Sequence, residues 1–411
     1  MTEWFIVVAT ALAGLLLADP FYGGWLARSV FAKVLTVGAV TVALSFHLLA
    51  RATFDPVVFR VSSRKVFSRW WPIVLLAIFI IAGSSYAIKV ENIRSTFLSF
   101  GLSMLFLPAM ALSIDSSRNP MGLLKWLGIV YVLTVLTFLI EMPFTKSTHH
   151  EEIFVAVPLG IYFLSATKLR VWKLLLGLAL IGACAFSIKN TTFIMMGAVI
   201  MTALLLWILR LARIKDGLKA AILLLTSFLF CGALLSSTFL AWTKFKHKLP
   251  HGNTEYREEM YKIAWGKFLD SPVWGTGFVG ESVSYFGLYK VDMPTSYLPT
   301  HSDILDILAN GGVIGFSLWL LTVANVFIFL YMSLMKLAQK SLENEQGWRC
   351  MLMLSMYQIC GIITYAVNPP LINPLHGYWV WGGLAVTWAL WRQLTRCESD
   401  RPIPSRVNKV Q

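Results

Sequence analysis

The sequence reads Glu255-Tyr256-Arg257, then Ser271-Pro272-Val273-Trp274-Gly275-Thr276-Gly277, then Thr300-His301-Ser302-Asp303-Ile304-Leu305, and then Gly311-Gly312-Val313-Ile314-Gly315. These segments belong to the stretch from His251 to Gly315, which is the only long polar stretch of the chain. The sequence on either side consists of long apolar runs. A chain of this kind concentrates its polar chemistry in one segment outside its apolar helices. The surrounding sequence indicates on which side of those helices the segment lies.

The surrounding sequence is that of a membrane protein. Of its 411 residues 57% are hydrophobic and only 14% are charged, whereas a soluble protein has about a quarter charged residues. Apolar runs of about twenty residues are long enough to cross a bilayer as helices. The sequence predicts an all-α polytopic protein, a single membrane domain over residues 1–411, with about twelve transmembrane helices. They are placed near 3–19, 29–50, 71–88, 96–113, 123–141, 152–166, 171–187, 191–209, 217–243, 312–335, 349–367 and 376–392.

The cations of the chain are divided unevenly between alternate loops. With the N-terminus in the cytoplasm, the cytoplasmic segments hold 22 Lys and Arg residues, and the opposite side, outside the long loop, holds only six. The positive-inside rule therefore predicts that both termini are cytoplasmic and that residues 244–311 form an outer loop, periplasmic in a Gram-negative cell. This distribution also accounts for the net charge of +14 without a nucleic-acid partner. Membrane lipids are the partner that the basic loops suggest.

The outer loop has helical segments of its own. Asn253 or Thr254 can cap a helix that runs to about Leu269 and carries an apolar stripe, which would lie on the membrane surface or cover a cavity. Ser271-Pro272 ends this helix, and a tight turn follows at Gly275-Thr276-Gly277. A second helix is predicted to begin at Thr300, with Asp303 in a capping box, and to end at Gly311-Gly312.

His301 is the sharpest candidate for a catalytic residue. In the first turn of a helix the positive end of the dipole disfavours the imidazolium form, so a neutral ring is available as a general base. Asp303 could orient that ring, although capping the helix accounts for Asp303 equally well. The alternative interpretation of His301 is a surface histidine in a polar loop.

Two cations could bind phosphate oxygens. Arg257 lies one turn into the first loop helix, where its guanidinium could hold phosphate or could pair with Glu258. Lys189 lies where two apolar helices meet at the outer face. It either extends to the interface or marks an anion site at membrane depth.

Several kinds of site lack their sequence motif. The chain has no GxxxxGK[ST], no GxSxG, no aspartate pair of the DxD type and no His/Cys/Asp cluster with metal spacing. None of the five cysteines lies in the outer loop, so no disulfide framework is expected there. No metal and no cofactor are predicted. An enzyme of this kind would use a substrate that is already activated and attached to a lipid.

These motifs, in this order, resemble the O-antigen ligase/polymerase superfamily of bacterial membrane glycosyltransferases. Tyr256-Arg257-x-x-Met260-Tyr261, followed by Ser271-Pro272-x-x-Gly275-x-Gly277, resembles the arginine helix and glycine turn of the family. His301-Ser302-x-x-Leu305 leading into Gly311-Gly312-Val313-Ile314-Gly315 resembles its histidine motif, with serine in place of asparagine. Ser187-Ile188-Lys189 lies where the family has Ser-Arg or Thr-Arg.

The resemblance implies a GT-C-like arrangement and an inverting, metal-independent transfer. The donor would be a glycan on undecaprenyl diphosphate, and the acceptor a sugar of lipid A-core or another glycan. His301 would be the catalytic base, and Arg257 and Lys189 would hold the diphosphate. Tyr256, Asp303, Gly275 and Gly277 would support the site.

Three other functions stay open at this level. A polysaccharide polymerase and a protein-targeting ligase use the same chemistry on other acceptors. A secondary transporter or flippase is the alternative from another class. Transporters usually carry charged or broken helices at the bilayer midplane, whereas the helices here are nearly free of acidic residues.

Overall fold

The fold is helical throughout the part of the chain that the structure describes. The computed structural model describes residues 2–18, 30–91, 97–145, 153–165, 170–185, 190–212, 215–223, 225–226, 253–278, 303–339, 346–367 and 374–399. Within these ranges 92% of the residues are helical and no strand occurs. The predicted all-α class is confirmed.

Thirteen helices are defined among the described residues. In chain order they are α1 (Thr2–Ala18), α2 (Val30–Phe54), α3 (Pro56–Glu91), α4 (Phe97–Met104), α5 (Phe106–Asp115), α6 (Pro120–Thr145), α7 (Ile153–Leu164), α8 (Val171–Ala185), α9 (Asn190–Leu211), α10 (Asn253–Asp270), α11 (Asp303–Gln339), α12 (Gln346–Val367) and α13 (Pro374–Ser399).

Two of these helices are long and apolar enough to cross a membrane by themselves. They are Pro56–Tyr86 of α3 and Ile304–Gln339 of α11. Shorter apolar segments of 10–17 residues lie in six further places among the described residues. These apolar helices indicate a membrane protein. The predicted count of about twelve spans is not confirmed.

Two of the predicted spans differ from the observed helices. The span at 71–88 is only the apolar part of α3, which begins at Pro56 and continues through a kink at Trp70. Pro72 explains the kink, because a proline inside a helix removes a hydrogen bond and crowds the preceding turn. The span at 96–113 is divided into α4 and α5 at Leu105. Hydropathy measures only the length of an apolar run, so it reveals neither the kink at Trp70 nor the division at Leu105.

Helices α3 and α11 form an antiparallel pair. Near one end, Arg69 Nη2 donates to the Asn325 carbonyl oxygen at 3.1 Å, and the Asn325 amide donates back to the Arg69 carbonyl oxygen. Near the other end, Gly83 and Gly311 both contact the ring of Phe278. Gly83 lies fourteen residues after Arg69 in α3, and Gly311 lies fourteen residues before Asn325 in α11. At 1.5 Å per residue, the two contacts are about 21 Å apart.

Cations that were predicted to be cytoplasmic collect at the end of the pair that carries Arg69. Arg210 Nε donates to the Leu337 carbonyl oxygen at 2.6 Å near the C-terminus of α11. Arg392 forms an ion pair with Asp115 at the end of α5. This distribution supports the predicted orientation, while the side of the membrane that each end faces stays a prediction.

Candidate functional site

The candidate site is built on a junction between the turn after α10 and the N-terminal part of α11. Helix α10 covers Asn253–Asp270, as predicted, and its C-terminal end is closed by the Ser271 amide, which donates to the Lys267 carbonyl oxygen at 3.2 Å. The chain then turns sharply, with the Gly275 amide donating to the Ser271 carbonyl oxygen at 2.9 Å. This turn lies against the kink of α11.

The kink of α11 is centred on Gly312, whose φ of 57° and ψ of −160° are not helical. The predicted end of a helix at Gly311-Gly312 is therefore wrong in one respect, since the helix resumes immediately and runs to Gln339. In an uninterrupted helix, the amides of Val313 and Ile314 would bond to the carbonyls of Ala309 and Asn310. A break at Gly312 requires other partners for these four groups.

The turn after α10 supplies those four partners. The Thr276 amide donates to the Ala309 carbonyl oxygen at 3.3 Å, and the Gly277 amide donates to the Asn310 carbonyl oxygen at 3.0 Å. In return, the Val313 amide donates to the Pro272 carbonyl oxygen at 2.8 Å, and the Ile314 amide donates to the Val273 carbonyl oxygen at 3.3 Å. The two segments therefore complete each other, and neither is expected to keep its conformation alone.

Glycine is required at Gly275 for two reasons. Its φ of +71° lies in the left-handed region, and a Cβ atom would collide with the backbone of Asn310. The predicted supporting role of Gly275 and Gly277 is consistent with this geometry, because the φ of +84° at Gly277 directs its amide toward α11. Their direct effect on chemistry stays a prediction.

A side-chain bridge adds to the backbone contacts. The Thr276 hydroxyl donates to Asn310 Oδ1 at 3.2 Å, and Asn310 Nδ2 donates to the Asp306 carbonyl oxygen at 2.8 Å. Asn310 and Asp306 are 4% and 5% exposed, so this polar arrangement is shielded from solvent. Thr276 was predicted only as part of the turn, and Asp306 and Asn310 were not predicted, although Asn310 before two glycines was a signal of a broken helix.

Phe278 packs the junction against α3 and α11. It is the only described non-glycine residue with a positive φ, 59°, and its side chain is 1% exposed. Its ring meets the ring of Phe79 edge-on, with 5.8 Å between centroids. A Cβ atom at Gly83 would lie 2.9 Å from the Phe278 ring, and one at Gly311 would lie 3.0 Å from it. Two glycines on two helices therefore form the notch that Phe278 fills.

The apolar residues near the junction are partly exposed. Trp265 and Leu269 on α10 are 50% and 60% exposed, and Trp274 in the turn is 65% exposed. Aromatic residues with this exposure are typical of the boundary between headgroups and hydrocarbon. The arrangement fits the first of the two predicted places for α10, the membrane surface, while a position over a cavity stays the alternative.

The predicted site residues are described to different extents. Tyr256 and Arg257 are the fourth and fifth residues of α10, and Asp303 is the first residue of α11, but only their backbone positions are described. His301 and Lys189, and the Thr300 cap, lie outside the described residues. The C-terminal end of α10 leads into the junction, and residues 309–314 of α11 form its other side, so Arg257 and Asp303 lie N-terminal to the junction in their helices.

Among the residues that the structure describes, no group of three or more His, Cys, Asp or Glu residues could hold a metal ion.

One protein-family model matches the part of the chain that contains the junction. Residues 175–320 match the family model described as O-antigen ligase. The matched segment runs from α8 through α11 and contains every predicted site residue from Lys189 to Asp303. The resemblance inferred from the motifs is therefore confirmed over these residues. No curated protein matches the chain.

Proposed function

We propose that this protein is an O-antigen ligase of the bacterial inner membrane. It would move a polysaccharide from undecaprenyl diphosphate onto an acceptor sugar of lipid A-core, at the periplasmic face. The observation that carries this proposal is the O-antigen ligase match over residues 175–320, which includes the junction and the whole set of predicted site residues. The apolar helices on either side agree with lipid-linked substrates.

The proposed reaction is an inverting transfer. His301 accepts the proton of an acceptor hydroxyl while the hydroxyl oxygen attacks the anomeric carbon of the donor glycan. A carbon–oxygen bond forms on one face, and the bond between the anomeric carbon and the diphosphate breaks on the other. The leaving undecaprenyl diphosphate takes the electron pair. Arg257 and Lys189 stabilise the negative charge that develops on its phosphate oxygens.

The junction supplies the rigidity that such a transfer needs. Proton transfer and attack depend on groups held in their reactive positions, and a misplacement of about 1 Å can cost about a hundredfold in rate. Four backbone hydrogen bonds tie the end of α10 to the kink of α11, and Phe278 ties both to α3. Arg257 and His301 are the predicted chemical groups of the two segments that this junction joins.

A polysaccharide polymerase of the same superfamily is the second candidate, because the family match does not distinguish the acceptor. Deletion of the gene separates the two. A ligase mutant loses all glycan-capped lipopolysaccharide and accumulates lipid-linked polymer at the periplasmic face of the inner membrane. A polymerase mutant produces lipopolysaccharide capped with a single repeat unit. A transporter mutant would instead retain the lipid-linked glycan at the inner face.

Complementation of the deletion tests the site. We expect His301→Ala and Arg257→Ala to restore no capped lipopolysaccharide, whereas His251→Ala and Lys262→Ala restore it fully. The controls change a histidine of the same outer stretch and a cation of the same helix. Full transfer by both His301→Ala and Arg257→Ala, at normal protein levels, would refute the site assignment.

A further inference from the structure

The kink at Gly312 divides α11 into two segments. The N-terminal segment covers residues 303–311, and the C-terminal segment continues to Gln339. Because the Val313 and Ile314 amides donate to carbonyl oxygens of the turn after α10, the angle between the two segments depends on that turn. The predicted base, His301, precedes the first residue of the N-terminal segment by two positions.

The turn that sets this angle has an unusual backbone. Gly275, Gly277 and Phe278 all have positive φ angles, of 71°, 84° and 59°. For a phenylalanine this conformation is unfavourable, so it persists only where the surrounding contacts fix it. Backbone strain that is held in this way is typical of sites where function depends on one particular arrangement.

One pair of side chains connects the turn to the N-terminal segment of α11. Asn310 Nδ2 donates to the Asp306 carbonyl oxygen at 2.8 Å, which fixes the orientation of the amide group. The other end of that amide, Oδ1, accepts a hydrogen bond of 3.2 Å from the Thr276 hydroxyl. The four backbone hydrogen bonds of the junction do not require particular side chains, whereas this bridge does. The bridge can therefore be removed by substitutions that keep the backbone contacts.

A small change of angle at the kink is amplified at the start of α11. Asp303 lies nine positions before Gly312, and at 1.5 Å per residue the two are about 13 Å apart along the helix axis. A tilt of about 5° over that length moves Asp303 by about 1 Å. Because Ser302 alone separates Asp303 from His301 in the chain, we expect the predicted base to be displaced as well. A misplacement of about 1 Å can lower a reaction rate by about a hundredfold.

We propose that Thr276 and Asn310 are positioning residues of the transfer reaction. Their side-chain bridge fixes the angle between the turn after α10 and the segment of α11 that follows His301. The two residues act through this angle and not by contact with the glycan. This role rests on the proposed function.

Single-turnover transfer by the purified full chain tests the role. The substrates are undecaprenyl-diphosphate-linked polysaccharide and lipid A-core, and both the rate constant and the amplitude are measured. We expect Thr276→Val to lower the rate constant by a factor of about 10–100 at unchanged amplitude, since every molecule still folds but reacts slowly. A lower amplitude with an unchanged rate constant would indicate partial unfolding only and would overturn the proposal.

Two matched variants accompany Thr276→Val. Thr276→Ser keeps the hydroxyl and should restore most of the rate. Thr322→Val makes the same substitution in the C-terminal segment of α11, where the hydroxyl donates to the Leu318 carbonyl oxygen at 2.9 Å and the residue is 2% exposed. This control should transfer at the normal rate. Equal losses in the serine and valine variants of Thr276, or in the valine variants of Thr276 and Thr322, would contradict the proposal.

A double-mutant cycle tests whether the two residues act together. Asn310→Ala should also slow transfer, and Thr276→Val with Asn310→Ala should be about as slow as the slower single variant, because the bridge can be broken only once. Effects that multiply would refute the bridge, and if Asn310→Ala fails to fold, the valine and serine variants of Thr276 decide. A normal rate constant in Thr276→Val refutes the positioning role alone, whereas no transfer by the unmodified protein refutes the proposed function and this role with it.

Discussion

Replacing Gly275 with alanine perturbs the junction at the position where it has least room. The residue has a φ of +71°, and a Cβ atom there would collide with the backbone of Asn310. The collision cannot be relieved by rotating a side chain, because the obstructing atoms belong to the main chain of α11. Either the turn must change its conformation or it must move away from the kink.

The size of the effect follows from the contacts that the turn makes. An alanine in the left-handed region costs about 1–2 kcal/mol relative to glycine. Separation of the turn from α11 would break four backbone hydrogen bonds, each worth about 1 kcal/mol. The junction is therefore destabilised by up to about 4 kcal/mol. Because each 1.4 kcal/mol is a factor of ten, local opening should become up to roughly a thousandfold more frequent.

Hydrogen exchange measures this opening directly. In Gly275→Ala we expect faster exchange of the Thr276, Gly277, Val313 and Ile314 amides, together with loss of glycan transfer. Gly266→Ala is the matched control, because a Cβ atom at Gly266 in α10 meets nothing within 4 Å. This control should keep both protection and transfer. Unchanged exchange and full transfer in Gly275→Ala would refute the structural role of the junction.

Three further changes test other parts of the account. Phe278→Ala removes a ring that is 1% exposed, so we expect a loss of about 3–5 kcal/mol at the junction, seen as proteolytic cleavage near residue 278 at protease levels that leave the unmodified protein intact. Asp115→Asn removes the partner of a buried arginine and should destabilise the protein by about 3–5 kcal/mol, measured as a lower Tm in detergent. Asp55→Asn, where the carboxylate is 29% exposed, should have a smaller effect, and equal losses would contradict the argument from burial. Lys189→Ala should slow transfer by about a hundredfold and Lys189→Arg should retain it; full activity of the alanine variant would exclude a role in holding the diphosphate.

Local signals in the sequence predicted the first loop helix and the turn after it. A capping residue at Asn253 or Thr254 and the stop at Ser271-Pro272 predicted a helix to about Leu269, and α10 ends at Asp270. The glycine turn was predicted at Gly275-Thr276-Gly277, where the chain does turn. Each of these features depends on a few adjacent residues, so each is visible in the sequence.

Features that depend on distant residues were not predicted. The two glycines at 311 and 312 indicated the end of a helix, but the turn after α10 satisfies the groups that the break exposes, so α11 continues to Gln339. Asp115 and Arg392 are 277 positions apart, and no local pattern joins them. The notch for Phe278 likewise needs Gly83 and Gly311 together.

Transfer by the purified protein tests the central proposal most directly. The full chain in detergent would be given undecaprenyl-diphosphate-linked polysaccharide and lipid A-core, and products would be separated by size. We predict glycan-capped lipid A-core from the unmodified protein, and a rate lower by a factor of about 10²–10⁴ from His301→Ala, because that variant lacks the general base. Absence of capped product from the folded protein, or an equal rate from His301→Ala, would contradict the account.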